Sequence, residues 1–245
     1  MAPAATLDDP ASSTVVLICA DAEWNVTLEH FASAVPAASP FGDWLVTTIE
    51  GDPLRRRVAF FHTGWGKVAA AAATQYVIDR WAPALLLNLG TCGGFQGAIE
   101  TGEVLVAERT VIYDIFEQMG DASTALAHYA ITIDLSWLDE RQPAGARRVT
   151  LVSADRDLRA EDIARLGSEH GAVAGDWESG AIAYVATRNA TRLLILRVVT
   201  DLVGPQGGEV YGAYPLFVDR ARQGMSRLFH DLPAWLTRAA GTTAT

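Results

Sequence analysis

The feature that most constrains this chain is a series of short segments that are apolar along nearly their whole length and alternate with helical segments. Residues 14–20 (TVVLICA), 84–89 and 191–200 (TRLLILRVVT) are such segments, and the Ala-rich stretch 66–81 has helical spacing. Strands that bury both faces need helices on both sides of their sheet. The pattern predicts a single-domain, three-layer α/β/α fold with a mixed, largely parallel, twisted central sheet.

Length and charge narrow the classes of protein further. The 245 residues suffice for one core, and we place the domain at 14–238, with loose tails at 1–13 and 239–245. The 19 basic residues against 29 acidic ones exclude nucleic-acid binding as the main activity. No apolar run is long enough for a membrane span. Cys19 and Cys92 alone cannot form a disulfide framework or a cysteine metal site, which favours a reducing, cytoplasmic location.

Polar residues with unusual chemistry follow several of the predicted strands. Glu23 follows the first strand, a glycine-rich turn at 90–94 follows another, Asp176 and Glu178 precede a helix, and Asp201 ends the last strand. Ligands of α/β sheets collect at the carboxyl ends of strands, so these acids are expected to converge. An acid after an apolar strand is partly desolvated, which raises its pKa toward that of a general acid. Taken alone, each acid is better explained by helix capping or a solvated surface, and only their joint pattern favours a functional site.

Four motifs resemble those of the nucleoside phosphorylase and nucleosidase superfamily, with most similarity to methylthioadenosine/S-adenosylhomocysteine nucleosidases. They are GWGKVAAA at 64–71, NLGTCGG at 88–94, DWESGA at 176–181 and VTDLV at 199–203. Each is a moderate signal, whereas their order and spacing together are specific. The resemblance extends from about residue 14 to 235 and implies a nucleoside phosphorylase-like fold.

The resemblance also implies a mechanism for cleaving a purine nucleoside such as methylthioadenosine or S-adenosylhomocysteine. Asp201 would protonate N7 of the departing base and would be held in place by Thr200. Glu178 would accept hydrogen bonds from the ribose hydroxyls, which strengthen as the sugar becomes oxocarbenium-like. Glu23 would activate the attacking water. No metal or cofactor is expected.

Further contacts follow from the same resemblance. The family uses the segment around Phe116 and Met119 at a homodimer interface, where either residue would reach the partner's site. Phe217 would cover the 5′ substituent. The residues implied to contact the nucleoside, besides the acids, are Thr91, Cys92, Gly93, Leu158, Trp177, Thr200 and Phe217.

The nucleophile is expected to be water rather than phosphate. Phosphorylases of the superfamily bind phosphate through a Gly-Asp turn after the first strand and an arginine that here is replaced by Asn88, which cannot neutralise an anion. Residues 20–24, after the first strand, contain neither this turn nor a basic group. A GDPLR sequence at 51–55 lies between two strands of a predicted hairpin, and we assign it to turn chemistry.

Two departures from the family pattern leave the substrate open. Asp157 stands where the family has an aromatic residue that stacks on the base, and Trp177 replaces a methionine under the ribose. Both indicate a substrate or a base position that differs from the usual one. Two alternatives to a hydrolase therefore remain: a phosphate-dependent phosphorylase, and a non-catalytic nucleoside-binding or storage protein of the same fold. The three acids argue against storage, which needs none of them.

Overall fold

The computed structural model describes residues 14–138 and 143–240, and within them the chain forms eleven strands and six helices. The helices are α1 (Asp21–His30), α2 (Lys67–Trp81), α3 (Ala122–His128), α4 (Ala160–His170), α5 (Ser179–Arg188) and α6 (Tyr214–Ala240). The strands are β1 (Thr14–Ile18), β2 (Ala37–Ser39), β3 (Gly42–Thr48), β4 (Arg57–His62), β5 (Leu85–Phe95), β6 (Val104–Ile112), β7 (Ala130–Thr132), β8 (Arg147–Ser153), β9 (Ala172–Asp176), β10 (Leu193–Gly204) and β11 (Gly207–Gly208).

All the strands belong to one mixed sheet, in the order β11-β10-β6-β8-β9-β5-β1-β4-β3-β2, with β7 on β6. Parallel pairing joins β4 to β1, β1 to β5, β5 to β10, β6 to β8 and β8 to β9. Because β10 pairs with both β5 and β6, the strands β5, β10, β6, β8 and β9 close into a barrel. The predicted fold class is confirmed, and the closure is a feature that the sequence pattern did not indicate.

Barrel closure corrects the predicted ends of two strands. The glycine-rich segment 90–94 is not a turn, because β5 continues through it and pairs with β10 as far as Phe95. A Cβ on Gly94 would lie 2.6 Å from the Ile99 side chain, so the glycine serves close packing rather than a turn. Asp201 likewise lies inside β10 and not at its end, at a bulge where the register with β5 shifts between Val199 and Asp201.

Helices cover the sheet in two pairs, with α1 against α6 and α2 against α5. Pro233 lies inside α6, and the helix continues through it. The neighbouring side chains of Leu232, Trp235 and Leu236 are buried in the core, and this packing holds the turn around the proline. None of the helices described here is both long and apolar enough to cross a membrane.

The predicted tails fall mostly outside the described residues. This holds for 1–13 and for 241–245, whereas residues 239 and 240 form the end of α6. The predicted hairpin is present as the antiparallel pair β3 and β4, with the GDPLR residues in the connection between them.

Candidate active site

A cavity of about 630 Å³ opens beside the barrel segments of β5 and β10. It brings together every residue that was predicted to contact the ligand within one subunit. These residues are Glu23, Thr91, Cys92, Gly93, Leu158, Trp177, Glu178, Thr200, Asp201 and Phe217. Phe116 and Met119 do not line it and are 79% and 98% exposed, so within one subunit they remain outside the site.

Glu23 lies in the first turn of α1 and is only 4% exposed. Its Oε1 accepts hydrogen bonds from the Thr91 backbone N–H at 2.6 Å and from the Thr91 hydroxyl at 2.9 Å. Its Oε2 accepts the Ala20 N–H at 3.3 Å. Burial raises the pKa of Glu23, although nearby Arg197 and these hydrogen bonds oppose the shift. The carboxyl group is thus rigidly held between α1 and β5.

Glu178 precedes α5 and is held by the glycine motif before α2. Its Oε1 accepts the Gly66 N–H at 2.8 Å, and Gly66 adopts a φ of +89°, which a side chain would disfavour. Burial and the negative charge of Asp176 raise the pKa of Glu178 to about 8. The GWGK motif therefore positions this acid directly, through a backbone amide.

Sequence reasoning missed the residue on which this group of acids depends, Arg197 of β10. Its side chain is 1% exposed, and its Nε donates to Asp176 Oδ2 at 2.8 Å. Burial opposes its charge, but Asp176 and the other acids around it raise its pKa above the usual value. The signal in the sequence was an arginine inside an otherwise apolar strand, because such a residue needs a buried counter-charge.

The partners of Arg197 also explain Asn88. The guanidinium donates from Nη2 to Asn88 Oδ1, while Asn88 Nδ2 donates to the Leu17 carbonyl at 3.0 Å. Asn88 is fully buried and does not line the cavity, and neither does Arg197. The positive charge therefore neutralises acids inside the protein and is not presented to a ligand.

Asp201 lies in a different environment, at the bulge of β10. It is 4% exposed, and its Oδ1 accepts the Thr200 hydroxyl at 3.1 Å. Its Oδ2 is buried and has no hydrogen-bond partner in the part of the chain that the structure describes. Burial raises the pKa of Asp201 to about 6. The bulge thus directs into the cavity an acid that can carry a proton near neutral pH.

Two parts of the cavity lining contrast with each other. At the Leu158 end, a Cβ on Gly93 would lie 3.3 Å from Leu158 Cδ1 and 3.9 Å from Asp201 Oδ1, which makes this part narrow. Tyr211 closes it with a hydroxyl that donates to the Leu158 carbonyl at 2.8 Å. Elsewhere in the lining, Trp177 and Trp65 pack edge to face with ring centroids 5.7 Å apart. The sequence did not predict Tyr211 as a contact, and it indicated Trp65 only as part of the motif at 64–71.

The charges that line the cavity are strongly unbalanced. Among the described lining residues, Arg156 is the only cation, and its guanidinium is held by Asp162 at 2.8 Å. The lining acids are Asp21, Glu23, Asp157, Asp176, Glu178 and Asp201. Such a cavity disfavours an anion and suits a neutral or developing cationic ligand.

Fold and site together define an α/β protein with an acid-lined cavity for a small molecule. The chain belongs to the phosphorylase superfamily, whose family model matches residues 14–232. This confirms the family that the sequence motifs indicated.

Known relatives and structures agree with this assignment. The chain is 26% identical to a 5′-methylthioadenosine/S-adenosylhomocysteine nucleosidase of Marinomonas sp. over 189 residues, which cover 70% of this chain and 78% of the relative. Its fold matches such a nucleosidase from Colwellia psychrerythraea, solved with adenine, at a TM-score of 0.72 and 21% identity, covering 96% and 98% of the two chains. A futalosine hydrolase mutant of Helicobacter pylori matches at a TM-score of 0.68 and 16% identity, covering 91% and 99%. The predicted enzyme class is confirmed, because the curated relatives of this chain are nucleosidases.

Proposed function

We propose that this protein hydrolyses the N-glycosidic bond of a purine-type nucleoside such as methylthioadenosine or S-adenosylhomocysteine. The observation that carries the proposal is Asp201, an acid in the cavity whose Oδ2 is buried without a hydrogen-bond partner among the described residues and whose pKa is raised to about 6. A fraction of an acid with this pKa is protonated near neutral pH and can give its proton to a leaving group.

The reaction follows from the three acids. Asp201 donates its proton to N7 of the base, and the bond between the base and C1′ breaks with its electron pair leaving on the base. The sugar acquires oxocarbenium character, water adds at C1′, and Glu23 takes the proton that the water releases. Support for the role of Glu23 comes from its fixed position, since Thr91 and Ala20 together hold both of its oxygens.

Glu178 is suited to binding the ribose hydroxyls. Its Oε1 is fixed by Gly66, and burial beside Asp176 raises its pKa to about 8, so that a negative charge on it is costly in the free protein. Positive charge on the sugar favours the ionised form of a neighbouring carboxyl group. Its interaction with the sugar therefore strengthens in the transition state, which is the condition for catalysis.

Water is favoured over phosphate as the nucleophile because of the charges in the cavity. Among its described lining residues, six are acids and one, Arg156, is a cation, which forms an ion pair with Asp162. A phosphate dianion would enter against this negative field. The phosphorylase and the nucleoside-binding protein remain the two alternatives for the test below.

A homodimer in the cytoplasm is proposed as the working form. Phe116 and Met119 are large apolar residues that lie exposed outside the cavity, which supports a role at a subunit interface, where they would reach the partner's site. Both cysteines are buried and free, as is usual in a reducing compartment.

Product analysis tests the reaction. Purified protein is incubated with methylthioadenosine, S-adenosylhomocysteine, adenosine and inosine, with and without phosphate, and the released sugar is identified. We expect free base and free sugar at the same rate in both conditions. Strict phosphate dependence with a sugar 1-phosphate product would make the protein a phosphorylase. Thermal stabilisation by a nucleoside without any turnover would make it a binding protein.

A further inference from the structure

Three charged side chains that the proposed reaction does not use, those of Lys67, Asp114 and Asp155, form a cluster outside the cavity lining. The Lys67 ammonium binds Asp114 Oδ1 and lies 3.6 Å from Asp155 Oδ2. The Asp155 backbone N–H donates to Asp114 Oδ2 at 3.1 Å. The cluster thus joins the start of α2 to the segments that follow β6 and β8.

The cluster meets the acids of the cavity at the start of α2. The first N–H groups of a helix have no partner within it, and the N-cap residue here, Gly66, has no side chain that could accept a hydrogen bond. Asp155 supplies an acceptor from a distant segment, because its Oδ1 accepts the Lys67 N–H at 2.7 Å. The preceding amide, that of Gly66, donates to Glu178 Oε1 at 2.8 Å. Two successive amides are therefore held by two acids, and of these Glu178 lines the cavity.

Asp155 also packs against the residue that holds Glu178. A Cβ on Gly66 would lie 3.2 Å from Asp155 Oδ1, so this carboxyl group lies directly on the Gly66 backbone. Gly66 has a φ of +89°, and because glycine is conformationally free, neighbouring contacts must select this conformation. The direction in which the Gly66 N–H points therefore depends on what holds the next amide, that of Lys67.

We propose that Asp155 is a positioning residue, which fixes the Lys67 amide, thereby sets the direction of the Gly66 N–H and so holds Glu178 against the sugar. The Lys67 ammonium supports this arrangement, because it pairs with both Asp155 and Asp114. Asp155 itself does not line the cavity and acts only through the backbone. The inference rests on the proposed function in one respect, which is that Glu178 binds the ribose hydroxyls.

Two variants of Asp155 and two substrates test the proposal. Asp155→Ala removes the acceptor, whereas Asp155→Asn keeps an oxygen atom in its place. The measurement is kcat/KM for methylthioadenosine and for its 2′,3′-dideoxy counterpart, which lacks the hydroxyls that Glu178 would bind. We expect Asp155→Ala to lose about 10-fold or more on methylthioadenosine and less than about 3-fold on the dideoxy compound, since only the first uses the misplaced group. Asp155→Asn should stay within about 3-fold of wild type on both substrates.

Three results would overturn the inference. They are no loss in Asp155→Ala, equal losses on the two substrates, and a loss in Asp155→Asn as large as that in Asp155→Ala. Asp134→Ala is the matched control, because Asp134 also accepts a backbone N–H, that of Ser136 at 2.9 Å, but does not line the cavity or contact α2. This control should keep the wild-type kcat/KM on both substrates.

A double-mutant cycle tests whether Asp155 acts through Glu178. Added to Glu178→Gln, the Asp155→Ala change should cost no more than about 2-fold, because both changes remove the same contact with the sugar. An undiminished loss in the double variant would contradict the proposal. If Asp155→Ala does not fold, Lys67→Pro takes its place, since proline lacks the N–H and is tolerated at the first helical position. Lys67→Met keeps the N–H, and a loss on methylthioadenosine equal to that of Lys67→Pro would also contradict the proposal.

Calorimetry separates this inference from the proposed reaction. If no nucleoside is cleaved, the binding of methylthioadenosine and of its dideoxy counterpart is compared in wild type and in Asp155→Ala. Weaker binding of methylthioadenosine alone, by about 10-fold, would support the positioning role while hydrolysis fails. Unchanged binding, or an equal change for the two compounds, would refute the positioning role.

Discussion

The two sides of the cavity hold acids of the same chemical type in opposite surroundings. On one side, Glu23, Glu178 and Asp176 surround the buried Arg197, and each is fixed by backbone or side-chain donors. On the other side, Asp201 receives one hydroxyl hydrogen bond and its second oxygen has none among the described residues. The acids of the first group are fixed in place around a counter-charge, whereas the carboxyl group of the second keeps one oxygen available to hold and release a proton.

This contrast assigns roles that residue type alone cannot assign. The pKa of Glu178 is raised to about 8 because burial is combined with other acids nearby. Burial also raises the pKa of Asp201, but only to about 6, which suits proton transfer near neutral pH. The lower of these two pKa values suits an acid that must give up its proton in each catalytic cycle. The position of each acid in the barrel thus sets its chemistry.

The largest effect on stability is expected from removing Arg197, the cation on the first side of the cavity. Arg197→Met leaves Asp176 buried beside Glu178 without a counter-charge, and breaking a buried pair in this way costs about 3–5 kcal/mol of unfolding free energy. Urea unfolding measures the loss. Arg222→Met is the control, since its ion pair with Glu29 lies on the surface, and we expect little change in the midpoint. Equal effects of the two variants would mean that Arg197 does not stabilise the acids.

A smaller effect on stability, which depends on pH, is expected from changing Asp201 on the second side of the cavity. The pKa of Asp201 is raised from 3.8 to about 6, so the folded protein binds this proton more tightly than the unfolded chain does. The resulting stability is present at low pH and is lost as the pH rises through about 6. Asp201→Asn should therefore be more stable than wild type above pH 6, by on the order of 2 kcal/mol.

Melting temperatures of the wild type and of Asp201→Asn between pH 4.5 and pH 8 test this difference. The gap between the two proteins should widen as the pH rises and level off above about pH 7. A constant gap would contradict a raised pKa at Asp201, and with it the contrast between the two sides of the cavity.

Much of this arrangement could be predicted from the sequence. The apolar strands indicated the α/β fold, and the motifs that contain Glu178 and Asp201 indicated which acids meet. These are local signals, because a motif fixes both the residue type and the backbone around it. The motif before α2 also contains Gly66, whose backbone amide binds Glu178.

What the sequence did not show depends on contacts between distant segments. Arg197 meets Asn88 across more than one hundred residues, and only barrel closure brings β10 beside β5. Because the barrel closes, Asp201 lies at a bulge within β10 and not at the end of the strand, as the sequence had indicated. Tyr211 lies in a segment without periodicity, so its approach to the cavity left no pattern to recognise. Trp65 stands within the motif at 64–71, but the motif did not show that its side chain lines the cavity.

The central claim, that Asp201 gives the leaving base its proton, is tested most directly by changing the leaving group. The measurement is kcat/KM of wild type and Asp201→Asn on methylthioadenosine and on 4-nitrophenyl riboside, whose nitrophenolate departs without a proton. The account predicts a loss of about 1,000-fold on the purine nucleoside and a loss within about 10-fold on the nitrophenyl compound. An equal loss on both substrates, or no loss on the purine, would contradict it.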